Sequence, residues 1–156
     1  MDENIRIPDV DQPLEERLLF IQENMVSFIQ QYSMPVVEVA LVISKYIRIL
    51  VSRLQEVADA TGESLPSHLM EPVSFEGESM PPLIESFPLD RLLDSLDEDR
   101  MDILDTLMRT AINAVESPFS STLALLRDWE RIIREQLHES RSPGHLFSPM
   151  KFPDNF

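Results

Sequence analysis

The sequence predicts an all-α fold, a four-helix bundle-like domain of two helical hairpins, with a long acidic, Pro-rich connection and an extended carboxyl tail. Three observations predict it. Apolar residues recur at helical spacing in four long segments, proline stands at the junctions between them, and no two segments offer strand patterns that could pair. At 156 residues the chain suits one domain, and that size buries roughly 70% of its extended surface without needing cross-links.

The first helix is expected over 13–33, after an acidic lead at 1–12. Asp11 and Pro13 mark its start, and Leu14, Leu18, Ile21, Met25, Phe28, Ile29 and Tyr32 form one apolar face. Ser33-Met34-Pro35 then breaks the chain, with Ser33 or Met34 as cap and Pro35 in a new first turn. The second helix is expected over 35–61 and is apolar on almost every side. Its β-branched residues let a strand compete from Val36 to Ile43. The segment is too long for one strand, however, so helix is preferred. Thr61-Gly62 supplies the stop.

Residues 62–88 contain Pro66, Pro72, Pro81, Pro82 and Pro88 and read as a connection. A third helix is expected over 89–116, with Ser95 and Glu98 at capping-box spacing. Ser117-Pro118 repeats the break, and the fourth helix follows over 118–140. Its stripe is Phe119, Leu123, Leu126, Trp129, Ile133 and Leu137, with Glu130–Arg134 and Arg131–Glu135 as opposite charges four apart. Each half thus reads helix, Ser and Pro at the break, helix. The side chains do not match between halves, so the repetition reads as weak. Tight breaks favour antiparallel neighbours within each hairpin. The tail, 141–156, carries three prolines and is expected to be extended.

The formal net charge is −15. Acids collect on the lead, on the connection and at the start of the third helix, where residues 71–105 hold eleven acids against Arg91 and Arg100. Direct nucleic-acid binding, which needs clustered Lys and Arg, is disfavoured. The absence of cysteine excludes disulfides, thiolate metal sites and cysteine nucleophiles. Met1 to Asn4 lacks the pattern of a secretory signal. Met34 to Val51 carries Glu38, Lys45 and Arg48, a poor membrane span. A soluble, intracellular protein, cytoplasmic or nuclear, is expected. The eleven Arg against two Lys have no physical account here.

No catalytic residue, cofactor site or metal site is expected. The glycines at 62, 77 and 144 stand alone, so no phosphate loop exists. His68, His138 and His145 lack metal-ligand spacing. Asp97 to Asp102 loosely matches a calcium loop, but Met101 falls on a ligand position and no glycine follows.

What remains is binding apparatus. Leu89, Leu92 and Leu93 form a Leu-x-x-Leu-Leu pattern suited to docking in a groove. The tail residues Phe147, Pro149, Phe152 and Phe156 either fold back on the bundle or insert into another protein. Ser142 and Ser148 precede proline and suit phosphorylation. The expected function is a non-catalytic protein–protein interaction module, a small adaptor or complex subunit. Its partner would be another protein, as hetero-complex or homodimer. The alternative is an acidic inhibitor or decoy that blocks a basic groove of a nucleic-acid-handling protein. A helical-bundle enzyme or ligand carrier is a third option. The interaction reading rests on one expectation: that the second helix and the tail present more apolar surface than a lone bundle covers.

Overall fold

The computed structural model describes Pro8, residues 11–75, Glu78, residues 93–140 and residues 144–148. Five helices follow in order: α1 (Leu14–Gln31), α2 (Val36–Thr61), α3 (Ser67–Met70), α4 (Glu98–Ala114) and α5 (Phe119–Glu139). The only strand-like feature among the described residues is an isolated antiparallel bridge between Pro35 and Leu146. Helix, and not the competing strand, therefore takes Val36 to Ile43.

The helix starts differ from expectation in a consistent way. Pro13, Pro35 and Pro118 occupy the N-cap position itself, with extended backbone, and none offers a side-chain cap. Proline lacks an N–H, and extended ψ at this residue aims the chain into the next helix. At α4 the cap is Asp97, whose carboxylate accepts from the Arg100 backbone N–H at 3.1 Å. The helix expected from residue 89 thus starts afresh at Glu98, and residues 89–92 lie outside those described.

Both breaks have the same geometry. Ser33 and Glu116 each take a left-handed conformation with φ of 50°. The following amide then reaches back five residues, from Met34 to the Ile29 carbonyl (3.1 Å) and from Ser117 to the Ile112 carbonyl (3.2 Å). This closing pattern usually places glycine at the left-handed position. Gly62 does so at the end of α2, with φ of 73°.

The closest packing is between α2 and α5 and between α1 and α4. Consecutive helices are not the main partners, which corrects the hairpin pairing expected from the tight breaks. The reason lies in the buried faces. Placing Pro35 on Pro118 aligns Ile21 with Leu104, Met25 with Met108, Ile43 with Leu126, Tyr46 with Trp129 and Leu50 with Ile133, and all of these are buried. The repetition that reads as weak along the whole chain is strong at core positions. Each helix packs on its counterpart from the other half, the arrangement an internal two-fold produces. Arg17 and Arg100 are also counterparts, both in first turns. Arg17 Nη1 donates to the carbonyls of Val115 (3.1 Å) and Glu116 (3.3 Å), so α1 and α4 run antiparallel. Arg100 reaches the opposite break through Glu38.

Glu38 is fully buried and is the costliest group in the core. Arg100 holds it by Nε–H···Oε1 and Nη2–H···Oε2 bonds of 2.7 Å each, and the Asp97 amide adds a third at 3.1 Å. Hydrogen bonding to Glu38 raises the Arg100 pKa above its ordinary value. Burial with all three donors satisfied is the condition under which such an ion survives in a core.

Part of the expected connection, residues 62–75 and Glu78, lies among the described residues. Leu69, in α3, is buried. Arg127 Nε donates to its carbonyl (2.9 Å), while Arg134 Nη1 donates to the Val73 carbonyl (2.8 Å) and also pairs with Glu78. Its partners in the connection draw Arg134 away from the expected pair with Glu130. Arg131–Glu135 forms as expected (2.9 Å), but Glu130 pairs with Arg127 (2.8 Å).

Ser33→Gly and Glu116→Gly each remove a Cβ from the left-handed region. Each is expected to stabilise the fold by up to about 1 kcal/mol, the steric gain being partly offset by glycine's extra freedom when unfolded. Denaturant midpoints at constant slope would register the change, and unchanged or lower midpoints would refute it.

Candidate functional site

The helix α2 is less uniformly enclosed than its composition suggests. Val36, Val39, Ile43, Tyr46, Ile47 and Leu50 are buried, but Leu41, Ile49 and Val57 stand in solvent. Two apolar grooves collect such side chains. One, of about 470 Å³, runs between α1 and α4 and is lined by Phe20, Ile103, Leu107 and Ala111 among others. The other, of about 250 Å³, lies where α2, α4 and the start of α5 meet.

This second groove is built on a polar cluster. Tyr46 is mostly buried, and its hydroxyl donates to the Asp105 carbonyl at 3.1 Å. Burial raises its pKa. The Asp105 carboxylate accepts from Lys45 Nζ (2.9 Å) and Arg109 Nη2 (3.2 Å). Burial opposes its ionisation, but hydrogen bonding from Lys45, Tyr46 and Arg109 outweighs that and holds its pKa below the ordinary value. Arg53, at the same rim, is largely exposed and has only a 3.8 Å contact to the equally exposed Glu56. The rim is thus a cationic island on an acidic protein. Nothing in the spacing of these residues marked them as a group; the 105–109 pair is visible as i,i+4, but its meeting with α2 is tertiary.

The tail forms a clip on the opposite side. The Val36 amide donates to the His145 carbonyl (2.8 Å) and the Phe147 amide to the Met34 carbonyl (3.1 Å). Gln136 donates from Nε2 to the Ser148 carbonyl (2.7 Å) and accepts from the Ser148 amide (2.9 Å). Phe147 is only 6% exposed, with its ring centroid 5.8 Å from that of Trp129. Of the two outcomes open to Phe147, it folds back on its own chain, because an aromatic ring left wet forfeits about 2–3 kcal/mol of burial. It is not presented to a partner.

Of the other expected docking residues, only Leu93 lies among the described residues. Leu93 is 54% exposed. Leu89, Leu92, Pro149, Phe152, Phe156 and Ser142 lie outside the described residues. Ser148 is exposed, its backbone held by Gln136. The first-turn acids Glu98 and Asp99 are exposed, as suits the amino end of a helix dipole. Among the described residues no group of His, Asp and Glu is arranged to hold a metal ion. No helix among them is long and apolar enough to cross a membrane.

Compared with known protein families, with curated proteins and with solved structures, the chain matches none.

Two predictions follow from these contacts. Asp105 is ionised in both states above the ordinary carboxylate range, so its pairs act in full there. Their contribution falls away as pH drops from the ordinary carboxylate value through the depressed folded one. Asp105→Asn should cost about 1.5–3 kcal/mol near neutral pH and flatten this acid-side loss, as read by denaturant unfolding across a pH series. Phe147→Ala should cost about 3 kcal/mol by opening a cavity and shift Trp129 emission to the red, and unaltered emission would contradict the clip.

Proposed function

We propose that this chain is a non-catalytic protein–protein interaction module, a small adaptor or subunit that works inside the cell within a larger complex. Its four long helices would act as a rigid bundle whose task is to present surface. The observation that carries the reading is the α1–α4 groove, where Ile103 is half-exposed above an otherwise buried seam of Ile21, Met25, Leu104 and Met108. Rigid apolar surface beside a packed core is what a helix or loop of a partner needs for docking. The exposed Leu93, and the apolar residues Leu89, Leu92, Phe152 and Phe156, add candidate contacts to the same partner. The partner is another protein, either a second kind of chain or a second copy.

The test uses co-purification from the native source with the intact chain and with Ile103→Asp. The substitution lies on the surface and should leave the unfolding midpoint nearly unchanged, while a bound partner should be lost. Retention at raised ionic strength is expected, because apolar docking is not screened. Steep weakening with salt would favour the acidic-decoy alternative instead. A chain that purifies alone and monomeric under both conditions would refute the reading.

A further inference from the structure

The internal two-fold that pairs α1 with α4 and α2 with α5 also duplicates the site of the tail clip. In the filled cradle, Trp129 packs on Phe147 and Gln136 clasps Ser148, while Ile133 shares the core with Phe147 and Ile132 packs against that core. Their counterparts, found by the same alignment of Pro35 on Pro118, are Tyr46, Ile49, Leu50 and Arg53, and these line the 250 Å³ groove. The correspondence extends to hydrogen bonds. Trp129 Nε1 donates to the Gln22 side-chain Oε1, and Tyr46 Oη donates to the backbone carbonyl of Asp105, the counterpart of Gln22. Among the described residues, a chain segment occupies the first cradle and none occupies the second, whose edge is exposed. Val36, beneath the tail, is fully buried, whereas its counterpart Phe119 is 49% exposed, and Ile49 is 47% exposed.

The backbone edge is duplicated as well. The tail uses the Met34 carbonyl and the Val36 amide. Their counterparts are the Ser117 carbonyl and the Phe119 amide, and neither has a partner among the described residues. An extended peptide could add itself there as it does at the first break. The chemistry of the rim has changed, however. Where Gln136 clasps the Ser148 backbone, the open cradle offers Arg53, with Lys45 and Arg109 beside it and Asp105 already enclosed by the latter two.

We propose that the open cradle binds an extended segment of a partner protein that pairs with the Ser117–Phe119 backbone, seats an aromatic side chain against Tyr46, and carries an acidic residue directly after it, opposite Arg53. The inference rests on the interaction-module reading and gives it a specificity. The chain's own tail supplies the template for the backbone and the aromatic anchor; the cationic rim supplies the preference for acid.

The probe is a fluorescent peptide copying residues 144–149 with Ser148→Asp, added to the intact chain. Saturable binding is expected, with amide shifts in NMR at Tyr46 and Phe119. Trp129, the chain's one tryptophan, reports on the filled cradle, so its emission should stay constant. Arg53→Glu, on the surface, should weaken binding by about tenfold or more, as loss of a charge-assisted contact does. The same peptide with Phe147→Ala should not bind. Absence of saturable binding, equal affinity for Arg53→Glu, or shifts centred on Trp129 would each overturn the proposal. If the peptide fails while Ile103→Asp still strips a native partner, this inference falls and the interaction module stands.

Discussion

Two hard chain reversals set the geometry on which everything else in this protein depends. At each one a left-handed residue closes a helix and a proline, immediately after the last closing amide, launches the next in a fixed direction. The cost of placing Ser33 and Glu116 at φ of 50° is roughly 1–2 kcal/mol each. That cost is met because the reversal leaves the apolar faces of α1 and α2 open to the other half, not to each other. Burial of Ile21, Met25, Leu104 and Met108 in one seam, and of Ile43, Leu50, Leu126 and Ile133 in the other, then outweighs it several times over. Arg17 and Arg100 tie the seams across, each from a first turn to the opposite break.

The symmetry is imperfect in ways that follow from single residues. Glu38 gives Arg100 a buried carboxylate. Its counterpart Ser121 is too short to do so, and Arg17 turns to backbone carbonyls while its Nε stays buried without a partner among the described residues. Trp129 faces a tail that covers it, and Tyr46 faces solvent-lapped side chains. The frame is thus duplicated while the rims diverge, one of them holding the chain's own tail residues.

Much of the fold was legible from periodicity and proline. The four long helices, the helical state of Val36 to Ile43 and the stop at Gly62 follow from local pattern, and local pattern is what sequence carries best. The pairing of helices was not, because tight breaks argue for neighbours while the decision rests on which buried faces fit. The duplication reads as weak along the sequence for a related reason: matched positions are confined to the core, and comparison along the full length dilutes them. The polar cluster of Lys45, Tyr46, Asp105 and Arg109 could not be found from spacing, since α2 and α4 meet only in the fold. The fold-back of Phe147 was one of two stated outcomes, and the deciding feature, Gln136 clasping both polar groups of the Ser148 backbone, left no mark on the sequence pattern.

The most extensive helix packing, α1 on α4 and α2 on α5, joins one half of the chain to the other. Cohesion between the halves therefore does not rest on covalent continuity alone. A polypeptide cut between α3 and α4 should behave as two fragments that find each other and rebuild one particle.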